Sequence, residues 1–179
     1  SQAVAQGAQW SFNGGSNWLA SGGSTNLAPG TYTVTFSSLT GWRTPAAVSN
    51  AVVTSSHTTL KSGTYTAVLP SAERAITGTN VTLTVRAPAG LSTWTLVETL
   101  QSGVTPINIT GGGVWNGTSR TLTFTGVEAS TNTFSYSAAC VSSGVYTVSG
   151  TVTPQPANIP VSVTGPTQII RANLVRTIS

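Results

Sequence analysis

The chain has 179 residues and a formal net charge of +4, and only 6% of its residues are charged. It contains no Asp, no Met, three Glu, one His and one Cys, whereas Thr and Ser together occupy 55 positions. An EF-hand, a zinc centre, an aspartic dyad and a Ser-His-Asp triad all need side chains that this composition does not supply. We therefore expect no catalytic, cofactor-binding or metal-binding residues, and we predict that the protein is not an enzyme.

The seven Lys and Arg residues are scattered along the chain. Nucleic-acid-binding proteins cluster such residues on one face, so we expect no nucleic-acid partner. No apolar run approaches the ~20 residues of a membrane helix, so we expect no membrane span. The sequence begins Ser1-Gln2-Ala3-Val4, which is typical of a secreted protein after signal-peptide removal. We predict an extracellular or cell-surface location.

Alternation of apolar and polar residues dominates the chain, and such a period of two indicates strands with one buried face. Clusters of Gly separate these segments, as turns between strands require. The sequence therefore predicts an all-β fold of two tandem antiparallel β-sandwich (Ig-like) modules with no substantial helix. The clearest alternating segments are residues 31–36, 80–85, 121–125, 133–137 and 145–149.

A boundary is expected at Leu69-Pro70-Ser71, where one set of strands ends and another begins with Glu73. This divides the chain into a small module at 1–69 and a larger one at 70–179. The larger module carries an apolar C-terminal strand at 165–179. Two domains of this size suit the chain length.

The first module resembles the PEGA-like repeat modules of bacterial cell-surface proteins. The resemblance implies a small β-sandwich without catalysis. The residues that carry it are Gly7-Ala8-Gln9-Trp10, Gly14-Gly15, Leu27-Ala28-Pro29-Gly30-Thr31-Tyr32-Thr33-Val34, Gly41-Trp42-Arg43-Thr44-Pro45 and Gly63-Thr64-Tyr65.

The second module resembles the Ig-like sandwich domains of large bacterial secreted proteins. The resemblance implies a structural or adhesive role, with no catalytic residues to carry across. It rests on Trp94-Thr95-Leu96-Val97-Glu98-Thr99-Leu100, Gly112-Gly113-Val114-Trp115, Phe134-Ser135-Tyr136 and Gly144-Val145-Tyr146-Thr147-Val148.

Glu98 alternates in register with the apolar residues of its segment and is therefore expected to point inward. A buried carboxylate needs a partner, and Arg74, Arg86 and Arg120 are the candidates. We interpret Glu98 as half of a structural ion pair. The alternative is a hydrolase that uses Glu98 with Glu128, which would need both carboxylates in one cleft.

Three other side chains have reactive chemistry. Cys140 and His57 would form a thiolate pair only if the fold brought them together. They lie in different predicted modules, so Cys140 is interpreted as a small buried hydrophobe. Lys61, the single lysine, would crosslink to an Asn only if it were buried, and its sequence neighbours indicate a turn.

Several polar and aromatic residues are candidates for modification or contact. Asn80, Asn108 and Asn116 each begin an N-glycosylation sequon, and Asn116 lies in a Gly-containing turn. Trp18 and Trp42 lie beside Gly or Asn and are expected to be exposed contact aromatics, suited to surface glycans or to another protein.

The C-terminal segment is expected to be an assembly strand formed by apolar residues beyond a completed sandwich. An apolar strand in this position pairs either within its own sheet or with the open edge of a neighbour. Both alternatives stand for residues 167–172, whereas we expect an intermolecular role for 173–179. The apolar residues of this strand are Ile169, Ile170, Ala172, Leu174, Val175 and Ile178.

These features together predict a structural subunit of an extracellular fibre, pilus-like filament or surface layer. Its main partners would be copies of itself in a head-to-tail polymer. The alternative is a carbohydrate-binding or adhesive module of a secreted protein.

Overall fold

The computed structural model describes residues 1–172, and these residues are mainly β structure. The chain divides into two compact units, unit 1 (Ser1–Val68) and unit 2 (Leu69–Ser179). The division lies beside the expected boundary at residue 69. Within the described part of the chain, the one α-helix is α1, a single turn at Gln2–Ala5.

The strands of unit 1 are β1 (Gln9–Ser11), β2 (Leu19–Ala20), β3 (Gly30–Phe36), β4 (Trp42–Arg43), β5 (Val48–Val53) and β6 (Thr66–Ala67). The strands of unit 2 are β7 (Ser71–Thr77), β8 (Asn80–Ala87), β9 (Thr93–Leu100), β10 (Val104–Ile107), β11 (Val114–Asn116), β12 (Thr121–Val127), β13 (Ser130–Cys140), β14 (Gly144–Gln155), β15 (Val161–Ser162) and β16 (Gln168–Arg171).

Unit 1 contains one four-stranded antiparallel sheet, in the order β2-β1-β3-β5, and a separate ribbon of β4 and β6. In β3, Tyr32, Val34 and Phe36 alternate with threonines, so the apolar side chains share one face of the sheet. Residues 54–65 connect β5 to β6 without forming a strand. The main sheet of unit 1 therefore has no second four-stranded sheet as its partner.

Unit 2 is built from two antiparallel sheets, ordered β10-β13-β8-β7 and β11-β12-β9-β14. Both β15 and β16 pair with β14, at Thr151–Val152 and Gly144–Thr147 respectively. The segment between β15 and β16 also joins β7, the edge strand of the other sheet. The Thr164 N–H donates to the Ala72 carbonyl, and the Thr164 carbonyl accepts the Arg74 N–H. This part of the chain links the two layers along one side.

The core of unit 2 is centred on aromatic side chains from both layers. Trp94 and Phe134 meet edge to face with ring centroids 5.8 Å apart, and Phe124 lies 4.6 Å from Phe134. Gly126 lies against the Trp94 ring. A side chain at that position would overlap the indole, so the packing requires a glycine. Among the described residues, every large side chain with less than 2% exposure belongs to unit 2.

The predicted all-β, sandwich-like fold is confirmed, and α1 is too short to be a substantial helix. The five alternating segments lie in β3, β8, β12, β13 and β14. Period-two patterning located these strands because each has one face against apolar neighbours and one face in water.

Candidate functional site

The C-terminal part of the described chain forms an edge of unit 2. β16 runs antiparallel to the start of β14, with Ile169 opposite Tyr146 and Ile170 opposite Val145. Ile169 is fully buried, whereas Ile170 and Val145 are 59% and 53% exposed. For residues 168–171 the structure thus shows pairing within the chain's own sheet.

Alternation along β16 decides which predicted assembly residues remain accessible. Ile169 lies in the core of its own unit, and Ile170 and Ala172 are exposed. Leu174, Val175 and Ile178, which the sequence assigns to the same assembly strand, lie outside the described residues. Ile170 of β16 and Val145 of β14 therefore form an exposed apolar pair.

A buried ion pair holds the segment that leads into β16. Arg74 donates from Nε to Oε2 of Glu98 over 2.9 Å and from Nη2 to Oε1 over 2.5 Å, and both side chains are fully buried. The Nη1 group of Arg74 donates to the Pro166 carbonyl over 2.9 Å. Because Pro166 lies two residues before β16, this third bond ties the final strand to the core.

The predicted inward orientation of Glu98 is confirmed, and Arg74 is its partner. Burial raises the pKa of the Glu98 carboxyl, while the Arg74 guanidinium and the Tyr136 hydroxyl act to lower it. Gly150 lies opposite Glu98 in the neighbouring strand, and a Cβ there would overlap the carboxylate. A glycine at this position is therefore required by the space that the ion pair occupies.

The two remaining arginine candidates have other partners. Arg86 lies 3.7 Å from Glu73 in a pair that is exposed on both sides. The Nε group of Arg120 donates to the Leu100 carbonyl over 3.0 Å. Glu128 accepts a hydrogen bond from the Gly90 backbone N–H over 2.7 Å. The hydrolase alternative requires a carboxylate that a substrate can reach. The Glu98 carboxylate is enclosed and does not meet this requirement.

Unit 1 contains a groove of about 930 Å³ on the apolar face of its sheet. The deepest lining residues are small, namely Ala8, Val34 and Ala51, all of them buried. Half-buried aromatic rings form the walls: Trp10, Phe12, Tyr32, Phe36 and Tyr65. Small residues and large rings form the apolar side of the groove, and the mainly polar segments 21–26 and 54–64 line the rest of it.

The polar ends of these aromatic side chains bind backbone carbonyls around the groove. Trp10 donates its indole N–H to Ala20 over 3.1 Å. The Tyr32 hydroxyl donates to Ala28 over 2.9 Å, and the Tyr65 hydroxyl donates to Ser37 over 2.6 Å. These bonds fix the ring positions and engage the polar atoms of the walls, so what the rings add to the groove is mostly apolar surface.

The groove was not predicted from the sequence. Its signal was the apolar face of β3, formed by Tyr32, Val34 and Phe36, with the small Ala51 of β5 opposite Tyr32, but that pattern is equally typical of a filled core. The difference lies in the covering segment, residues 54–65, in which Leu60 remains 87% exposed. A local pattern does not reveal that a covering segment leaves space.

The two tryptophans expected to be exposed differ from one another. Trp18 is 40% exposed and packs over Gly15, where a Cβ would come within 3.0 Å of its ring. Trp42 is half-buried, and its indole N–H donates to Gln6 Oε1 over 2.9 Å. The expectation that Trp42 is exposed is wrong, because its side chain is partly covered and its indole N–H is bonded to Gln6.

All three sequon asparagines are exposed. Asn80 accepts from the Ser137 hydroxyl over 2.9 Å, and Asn108 has a positive φ of 53°. Asn116 uses Oδ1 to accept the backbone N–H groups of Thr118 and Ser119. The amide nitrogen of Asn116 thus lies at the surface of a defined turn.

The remaining reactive side chains belong to different units, with His57 and Lys61 in unit 1 and Cys140 in unit 2. Cys140 is buried in unit 2, and burial raises the pKa of its thiol. His57 is exposed in unit 1, with its ring nitrogen Nδ1 2.8 Å from the Ser55 carbonyl oxygen. Lys61 is exposed, so it lacks the buried environment that an amide crosslink would need. The interpretation of Cys140 as a small buried residue agrees with this placement.

Two further findings concern residues 1–172. Within that range, no helix has the length and apolar character to cross a membrane. The same residues contain no group of three or more His, Cys or Glu side chains placed to hold a metal ion.

Comparison with known proteins gives little further information. No family model matches the sequence, and no curated protein matches it. Among solved structures, the chain is similar to the Fcho1 Mu homology domain of Danio rerio with bound Eps15 peptide. The TM-score is 0.31 and the identity 18%, over 59% of this chain and 50% of that chain. At this level the similarity carries no conclusion about function.

Proposed function

We propose that this chain is a structural subunit of an extracellular fibre, pilus-like filament or surface layer. Subunits assemble by surface packing and by β-strand addition. The observation that carries the proposal is the pairing of β16 with β14, in which Ile170 of β16 and Val145 of β14 form an exposed apolar pair. Further apolar residues follow in the sequence after Ala172.

An edge strand with apolar side chains is a template for pairing with another chain. Natural proteins block such edges with Lys, Pro or bulges. The opposite edge of the same sheet, β11, carries no charged residue, and its Val114 is 68% exposed. β16 carries one charged residue, Arg171, so β11 is the edge that better supports self-association.

The low charge supports close packing of copies, because few charged groups would be desolvated or opposed when subunits meet. The Thr and Ser residues on the outer faces of the strands suit an extracellular surface. The resemblance to bacterial surface modules supports the same location. Head-to-tail contacts between identical subunits give an open filament when the rotation between them does not close a ring.

Deletion of residues 173–179 tests the proposal. The full chain should form polymers in electron micrographs, and the shortened chain should remain a folded monomer by sedimentation and circular dichroism. A shortened chain that polymerises as the full chain does would disprove assembly through the C-terminal segment.

A carbohydrate-binding or adhesive module is the second candidate, and the exposed ring of Trp18 favours it. Aromatic faces stack on sugars, and Trp18 is held in place over Gly15. A glycan array would detect such binding, and Trp18→Ala should remove it. Trp42→Ala is the matched control, since the Trp42 ring is half-buried.

A further inference from the structure

We propose that the groove of unit 1 receives residues 173–179 of a second copy of this chain as an extended segment that covers the apolar face of the sheet. This inference rests on the proposed function, because it names the surface to which the donated strand binds. The donated segment follows β16 and would enter the groove of the next subunit.

The groove exists because unit 1 lacks a complete second layer. The main sheet presents Tyr32, Val34 and Phe36 on one face. A stable sandwich buries such a face against another layer. Here residues 54–65 lie over it without pairing as a strand, and Leu60 in that segment is 87% exposed. An added strand would supply the missing apolar contacts.

The sheet side of the groove suits apolar side chains, whereas residues 21–26 and 54–64 contribute mainly polar side chains to the rest of its lining. Small-molecule sites usually place a few convergent polar groups in an apolar cavity. In this groove the indole N–H of Trp10 and the hydroxyls of Tyr32 and Tyr65 already bind backbone carbonyls. Lys61, the one Lys or Arg among the lining residues, is exposed at the rim, where salt screens its charge.

The sequence of the donated segment matches this surface. Asn173-Leu174-Val175-Arg176-Thr177-Ile178-Ser179 has seven residues, and an extended strand of that length spans ~23 Å. In a strand, Leu174, Arg176 and Ile178 would share one face. Leucine and isoleucine suit the apolar floor, and the stem and guanidinium of Arg176 suit the aromatic walls.

The departure point of the segment is also accessible. Ala172 is exposed, and it follows β16 at the edge of unit 2. A segment that leaves an exposed edge can reach a second molecule without unfolding the unit that carries it. Occupation of the groove by the same chain's own segment is the competing arrangement, and the test below separates the two.

The test uses two disabled variants that complement each other. The chain lacking residues 173–179 retains its groove but donates no strand. Val53→Lys retains the donor segment but places a cation in the groove, where Val53 is a half-buried lining residue. Val52→Lys is the matched control, because Val52 is the neighbouring residue, is 53% exposed and does not line the groove.

Sedimentation of the purified proteins should give four results. Val52→Lys should polymerise like the unmodified chain. The shortened chain and Val53→Lys should each remain monomeric, and their equimolar mixture should form heterodimers that grow no further. We expect Val53→Lys to weaken groove binding by about tenfold or more, since it replaces a half-buried apolar lining residue with a cation.

Other results would overturn the inference and identify the reason. If the shortened chain is monomeric but Val53→Lys polymerises, the proposed function survives and the groove is not the receiving surface. If the mixture gives no heterodimer although Val53→Lys melts as cooperatively as Val52→Lys, donation between copies is wrong.

A second pair of variants leaves the groove untouched and keeps the test valid if Val53→Lys fails to fold. Leu174→Ser with Ile178→Ser should abolish polymers, whereas Val175→Ser, on the opposite face of the proposed strand, should retain them. If both variants lose their polymers, or if both retain them, binding through one face of the strand is contradicted.

Discussion

Units 1 and 2 differ in how their sheets are covered. Unit 2 packs two sheets against each other, and its core contains fully buried Trp94, Phe124 and Tyr136. Unit 1 has one four-stranded sheet, and its buried apolar residues are small: Ala3, Ala8, Val34, Ala51 and Val68. The same alternating pattern of threonine and apolar residues thus produces a closed core in one unit and an open groove in the other.

This difference shows that strand patterning and core completion are separate properties of a sequence. A domain of about 70 residues buries a smaller fraction of its surface than a larger one and has little stability to spare. Unit 2 is stabilised by its own core, within which Arg74 and Glu98 neutralise each other's buried charge. Unit 1 has an incomplete second layer, so a partner that covers its sheet would stabilise it more than it would stabilise unit 2.

The largest expected effect concerns the buried ion pair of unit 2. Arg74→Ala would leave the Glu98 carboxylate buried without its cation and should lower the free energy of unfolding of unit 2 by about 3–5 kcal/mol. Arg86→Ala removes an exposed partner at 3.7 Å and should cost less than about 1 kcal/mol. Urea unfolding followed through the amide signals of β9 measures both, and equal costs would contradict this account of the core.

The next effect tests whether β16 belongs to unit 2. Ile169→Ala would open a cavity at a fully buried position and should destabilise unit 2 by about 2–5 kcal/mol. Ile170→Ala, at the exposed neighbour, should change stability by less than about 0.5 kcal/mol. Urea unfolding measures both effects. If Ile169→Ala does not lower the free energy of unfolding of unit 2, β16 is not docked in its own sheet.

A smaller effect is expected within unit 1. Ser11 is fully buried, and its hydroxyl accepts the Gly15 N–H over 3.0 Å and donates to Asn13 over 2.8 Å. Ser11→Ala would leave that N–H without its acceptor and should cost about 1–3 kcal/mol.

Ser16→Ala provides the control in the same turn, because Ser16 is exposed. Its cost should be less than about 0.5 kcal/mol. Calorimetry should show that Ser11→Ala lowers the transition of unit 1 and leaves that of unit 2 in place. A shift of both transitions would mean that the units do not unfold separately.

Much of the fold was predictable because strand formation is local in sequence. The alternation in residues 31–36 and 80–85 requires no knowledge of a partner strand. The inward orientation of Glu98 was predictable for the same reason. The choice of Arg74 over Arg86 and Arg120 was not, since it depends on which strands face each other across the core.

The candidate site was less predictable than the strands. The burial of Ile169 and the exposure of Ile170 follow from the register of β16 on β14, and register depends on pairing far along the chain. Trp42 illustrates the same limit, because its partner Gln6 lies 36 residues away. The groove depends on how residues 54–65 cover the sheet, which no local pattern encodes.

The most direct test of the central claim is hydrogen exchange of the full chain below and above the concentration at which it assembles. Completion of unit 1 by a donated strand predicts that assembly protects amides of β3, β5 and residues 54–65, while those of the β9 core stay unchanged. Protection confined to the edges of unit 2, with unit 1 exchanging at the same rate in both states, would contradict the account.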